Sequence, residues 1–166
     1  MSFYGTIEKA NAFFALRLHT AAWDDVDTAT RTKALHEATH LIEKLNFKGD
    51  KHSVYALADG ASDEAIHAAN VAQPREFPRD SDTIVPDTIE HATYFVAYAL
   101  LDGRDPELEL ENLAITSHRY SSVGTAYNRD IAPLEHIVNS IPSVSAWNLL
   151  KPFLRPNTEL QITRTS

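Results

Sequence analysis

Between Asp27 and Gly49 the chain reads DTATRTKALHEATHLIEKLNFKG, and Ala34, Leu35, Ala38, Leu41, Ile42 and Leu45 recur at i, i+3, i+4 and i+7. That spacing draws one apolar stripe along an α-helix, and the rest of the chain must cover it. Asp27 or Thr28 offers a side-chain oxygen to the first N–H groups. Lys44 and Lys48 stand where the helix dipole favours cations, and Gly49 reads as a left-handed stop. The same stretch spells His36-Glu37-Ala38-Thr39-His40, the H-E-x-x-H pattern that sets two imidazoles one turn apart for zinc with the glutamate as general base. At about 100° per residue, however, His36 and His40 fall almost opposite the stripe, on the polar face with Lys33 and Glu43. No Gly-x-x-His continuation follows, and nothing singles out Glu64, Glu90 or His136 as a third ligand. The plain reading is two solvent-facing histidines, with no metal, no cofactor and no catalytic residue.

Length and charge narrow the classes further. A chain of 166 residues, 43% of them hydrophobic, suits one domain with a real core. Its 23 acidic and 15 basic residues give a net charge of −8, which disfavours unaided nucleic-acid binding and gives no cue for an anionic membrane. With no cysteine, disulfides, thiol catalysis and cysteine zinc sites are excluded. No apolar run approaches about 18 residues, and MSFYGTIEKA lacks a signal-peptide core. A soluble protein made in the cytosol, without a membrane partner, is expected.

Other elements follow in order. Tyr4-Gly5-Thr6 reads as a turn and cap opening a helix near Ile7 to Leu18, with Ile7, Phe14 and Leu18 on one side. Phe13 and Leu16 lie off that face and point to a neighbouring subunit. Trp23, in AAWDDVD, reads as the anchor packing the first helix onto the second. From Asp50 to Asp87 no period is sustained; Ser62 caps a short helix from Asp63 to about Val71, and Pro74, Pro78 and Pro86 punctuate the rest. A connection of that size is usually functional, an arm on neighbours or a lid. Pro86 then opens a helix ending at Gly103 that is apolar nearly all round beyond Ala92, so burial on most sides is expected, with Tyr94, Tyr98 and Leu101 facing another subunit. Its aromatic run reads as core rather than a base-stacking platform, because no basic residue interleaves it.

Asp102, Asp105, Glu107, Glu109 and Glu111 alternate with Leu108, Leu110 and Leu113, the solvated face of a short helix or extended segment. AITSHRYSSVGTAYN has the composition of a hairpin, and no Gly-x-Ser-x-Gly elbow frames a serine. Pro133 opens a short helix through His136 and Val138. Ser143 caps another, with Val144, Trp147, Leu150 and Leu154 on one stripe, broken at Pro152. In the closing TELQITRTS, Leu160 and Ile162 alternate as an added strand would, beside an apolar anchor of Trp147, Leu150, Phe153 and Leu154; together these are the candidate partner-docking residues. The predicted fold is mainly α: a small helical bundle over 1–154 with a long arm at 50–86 and a β-hairpin at 113–128, followed by an extended tail at 155–166.

Several blocks go beyond pattern. YGT, ANAFFALR and a tryptophan near the start are followed by KALHEATHLIEKLNFKG, EFPRD, VPDTIEHATYFVAYALLDG, DPELELENLAITS and a close of IP…AWNLLKPFLR. In that order they resemble a family of small tailed-phage virion proteins, often labelled DnaT-like single-stranded DNA-binding proteins and similar to the head-to-tail adaptors (connectors) beneath the portal. The resemblance covers most of the chain. Family members carry variable or basic residues at His36 and His40, and Lys51 to Gln73 is longer here than in the family. The resemblance implies a structural virion protein of the neck, assembled in the host bacterial cytoplasm: a homo-oligomeric ring of about twelve subunits. Such a ring joins the portal to a stopper or tail-completion protein while duplex DNA passes through its lumen without sequence-specific binding. Of the two labels, charge favours the connector, since a single-strand binder needs a basic groove; single-stranded DNA binding is the alternative and a zinc metalloprotein a distant third.

Overall fold

The computed structural model describes residues 3–112, 117–120, 123–126 and 135–156. Over these the chain is mainly helical. Its centre is α6, Asp87–Leu101, which packs against α3, Thr28–Glu43, and against α9, Val144–Leu150. Both partners present small or aliphatic side chains at the seam: Ala34, Leu35, Ala38 and Ile42 from α3, Ala146 and Leu150 from α9, Ile89, Ala92, Val96 and Ala97 from α6, all buried. The expected burial of α6 on most sides is therefore met largely within one chain.

The starts of the helices follow local chemistry. Asp27 accepts the Thr30 N–H at 2.7 Å, Ser62 that of Ala65 at 3.3 Å and Ser143 that of Ala146 at 3.3 Å, each filling a donor that the first helical turn leaves open. Thr6 does the same for α1, Ile7–Ala15, and Pro86 stands before the first residue of α6. The ends depart from the sequence reading. α1 stops at Ala15, not Leu18, and Leu18 is 86% exposed rather than on a buried face. Here tertiary contact overrides periodicity. The Tyr98 hydroxyl donates to the His19 carbonyl at 2.5 Å, and α2, Ala21–Asp24, turns Trp23 back over Phe14 with ring centroids 4.7 Å apart. Arg31 then binds the pieces together through the carbonyls of Trp23 and Asp24 and the Asn11 side chain, so Trp23 anchors the first helices as expected.

Gly49 is not the stop of α3, which ends at Glu43. It has φ +75°, and a Cβ there would run into the Asp80 carboxylate, which accepts the Asp50 N–H at 2.9 Å. The glycine admits a returning segment. Within the 50–86 connection, α4, His52–Tyr55, and α5, Asp63–Ala72, pack on each other and contain no buried residue. The chain then comes back, bridging Lys51 to Arg79 and burying Phe77 and Arg79; the Phe77–Pro78 peptide is cis.

Beyond α6, the acidic stretch forms α7, Pro106–Asn112, a solvated helix with no buried residue. The backbone of β1, Ser117–Tyr120, pairs antiparallel with β2, Val123–Ala126, Ser117 opposite Ala126 and Tyr120 opposite Val123. The remainder of the 113–128 hairpin reading, together with Leu113, Pro133, Leu160 and Ile162, lies outside the described residues. α8, Glu135–Val138, and α9 follow, and a 3-10 turn at Lys151–Phe153 holds Pro152. Val144, placed on the α9 stripe, is 52% exposed, because it is the first helical residue after its cap.

Candidate functional site

Four places deserve a chemical reading, beginning with the HEATH sequence. His40 is exposed, but His36 is half-buried, with its ring edge-on to Phe3 at 5.0 Å. The expectation of two solvent-facing histidines is corrected for His36, since the segment before α1 folds over that side of α3. Glu37 is exposed and lines an open groove with Lys44, Arg104 and Glu107, away from Phe3. Among the described residues no group of three or more His, Asp or Glu could hold a metal ion.

The second place is the loop end of α1. Leu16 and Leu18 are 90% and 86% exposed, and between them the Arg17 guanidinium lies 3.9 Å over the Phe13 ring and 4.7 Å from that of Phe95. Phe13 in turn packs against Phe14, His91, Tyr94 and Phe95. The result is a shoulder, apolar at its tips and cationic between them, with shallow grooves on both flanks lined by Tyr98 and His19 on one side and Lys9 and His91 on the other. Of the five residues expected at a subunit interface, Leu16 is open and Phe13, Tyr98 and Leu101 are half-buried. Tyr94 is 1% exposed in the chain's own core, where its ring covers Gly5.

The third is a clasp formed by segments distant in sequence. Phe77 packs edge-on to Phe47 at 4.7 Å and to Phe153 at 5.7 Å. Beside it Arg79 donates to the carbonyls of Lys48 at 2.9 Å and Gly49 at 2.6 Å and pairs with Glu76 at 2.5 Å. Arg155 closes the far side, its backbone N–H on the Asn46 carbonyl and its Nε on that of Phe47, both at 3.0 Å. The Tyr4 hydroxyl donates to Glu43 and accepts the Phe77 N–H, while Glu43 also accepts the Glu76 N–H. Burial, and then the Glu43 carboxylate, push the Tyr4 phenol far above its ordinary pKa. Tyr94 is raised likewise, by burial and then by Glu90, which Lys9 neutralises at 2.7 Å. These groups are committed to partners and hold the fold; Lys9, Glu90 and Tyr94 also line the groove beside the shoulder.

The fourth is the proposed docking end. Trp147 and Leu150 are 8% and 0% exposed and pack into the chain's own core. What Trp147 does present is its indole N–H, donated to Glu135 at 3.3 Å; Lys151 pairs with the same carboxylate at 2.8 Å and holds it below the usual glutamate range. Phe153 and Leu154 are half-buried against the core. Among the described docking candidates, Trp147 and Leu154 border an open groove together with Arg155 and Pro156.

Sequence reasoning missed Arg79, Glu76 and the Tyr4–Glu43 pair. The available signal was EFPRD itself: a phenylalanine and a proline directly beside an arginine, between proline breaks, mark a segment pressed into the body. Comparison with protein-family models, with curated proteins and with solved structures found no match.

Proposed function

We propose that this chain is a structural subunit of a tailed-phage neck, an adaptor that assembles as a ring between the portal and the stopper or tail-completion protein while DNA passes through the lumen. The observation that carries the reading is the shoulder: two leucines almost fully in solvent around an arginine stacked on aromatic rings, a surface suited to contact with protein. The ordered blocks that resemble the connector family add to it. EFPRD, NFKG and KPFLR meet in the Phe47–Phe77–Phe153 clasp, so blocks far apart in sequence serve one body.

Enzymatic chemistry finds little support. Among the described residues the perturbed groups are the buried tyrosines and helix-terminal or paired surface groups, each engaged by a neighbouring residue of the fold. Single-stranded DNA binding, the second reading, is disfavoured by the charge of −8 and by the burial of Tyr94, one of the α6 aromatics that would have to stack on bases. Arg17 over Phe13 and Phe95 is the one basic–aromatic pairing on the shoulder that a base could use. Mass measurement of the purified chain with and without portal particles, beside an oligonucleotide titration at moderate salt, separates these readings. The adaptor reading expects ring-sized species that attach to portal particles, and no oligonucleotide affinity. Tight oligonucleotide binding without portal attachment overturns it.

A further inference from the structure

The shoulder has a complement on the same chain. In α7, Glu107 and Glu111 stand one turn apart, and at about 100° per residue Leu108 and Leu110 flank them on the same solvent face. Leu108 and Leu110 are 54% and 41% exposed, and neither glutamate has an ion-pair partner among the described residues. The shoulder carries the converse pattern, a cation between two exposed leucines, and among the described residues no carboxylate pairs with Arg17.

The two faces stand on opposite sides of the subunit. Tyr98 borders the shoulder groove, whereas Leu100 borders the groove that runs to Asp105, Pro106 and Glu107. Two residues along α6 turn the helix by about 200°, so these positions point nearly opposite ways. One subunit therefore cannot satisfy its own shoulder with its own α7, but a second copy can.

We infer that the shoulder, Leu16–Arg17–Leu18, is the seat for α7 of a neighbouring copy of this chain, with Arg17 between the neighbour's Glu107 and Glu111 and the four leucines closing around the ion pairs. A contact between unlike faces on opposite sides is heterologous, and its repetition closes a ring when the rotation per step permits. Apolar flanks around the charges exclude water and sharpen their attraction. The inference rests on the ring reading and names the faces that make the ring.

Sedimentation of the full-length chain over a range of concentrations tests it with Leu16→Asp and Leu108→Asp, both at exposed positions, checked for folding by circular dichroism. Wild type is expected to form species larger than dimers and each variant to remain monomeric. An equimolar mixture of the two variants should give 1:1 dimers that grow no further, because each mixed pair retains one intact junction. Arg17→Glu should weaken assembly at least tenfold, and combining it with Glu107→Arg and Glu111→Arg should restore it. Assembly that both aspartate variants leave unchanged overturns the face pairing while the ring reading stands. A wild-type chain that stays monomeric overturns the pairing; the ring reading falls with it only if portal particles also fail to acquire the chain.

Discussion

Replacing Arg79 by methionine keeps much of the side-chain volume beside Phe47 but deprives the carbonyls of Lys48 and Gly49 of a charged donor and leaves Glu76 without its closest partner. Breaking a buried, hydrogen-bonded charge in this way costs about 3–5 kcal/mol. Urea unfolding of Arg79→Met should show that loss as a lower midpoint at unchanged slope. The buried phenols make a second prediction, in pH. A tyrosine whose folded pKa is raised contributes stability that is complete below the unfolded value of about 10 and is lost as pH rises through the folded one. Tyr4 and Tyr94 are both raised, so the protein should lose stability above about pH 10, and both phenols should ionise only as it unfolds. Absorbance titration at alkaline pH should resolve a late, cooperative step that shrinks in Tyr4→Phe; a titration of all phenols with no such step would contradict the geometry. Neither residue announced its role in the sequence. Tyr4 looked like part of a turn and Glu43 like one more charge on a polar face, because a hydrogen bond across 39 positions leaves no local signature.

Helices were legible where the signal is local and less so where a tertiary contact sets the boundary. Asp27, Ser62, Ser143 and Pro86 mark the starts of four helices in the sequence and in the structure, since a cap needs only its own first turn. The end of α1 could not be read this way: its periodicity runs on to Leu18, and it is Tyr98, from α6, that fixes the His19 carbonyl and turns the chain. Within α6 the apolar run established burial but did not rank its members. Ile89 is 0% exposed, whereas Leu100 is half-buried and borders an open groove. Ile89→Ala should therefore cost about 2–5 kcal/mol, the range for a large-to-small change in a packed core. Leu100→Ala should cost clearly less, because solvent already reaches that side chain and no closed cavity is left behind. Equal losses in denaturant unfolding would show that the groove beside Leu100 is covered, and would place an unseen contact on it.

At the level of the molecule, the candidate site was only partly legible. Exposure of Leu16 could be inferred from its place off the apolar stripe, but the aromatic nest that presents Arg17 gathers residues from α1 and α6 that only the fold brings together. At the docking end the ambiguity runs the other way: Trp147 and Leu150 carry the composition of an interface anchor, and a domain of this size needs the same residues for its own core. What this leaves for docking is the tail. The clasp ends at Arg155, which holds the backbone of Asn46 and Phe47 by two hydrogen bonds, and Leu154 bridges Phe47. Truncation after Arg155 keeps every one of those contacts. The shortened protein should accordingly unfold at the same denaturant midpoint as the full chain, whereas Arg155→Ala should lower it, since the Phe47 carbonyl loses its charged donor. If Leu160 and Ile162 add as a strand to a partner, as their alternation suits them to do, the truncated chain should stay folded and yet fail to join portal particles. Sedimentation with portal would show this as full-length chain in the particle fraction and truncated chain left in the supernatant. Truncated chain found on portal at wild-type occupancy would remove the tail from the docking surface and return that role to the open groove of Trp147, Leu154, Arg155 and Pro156.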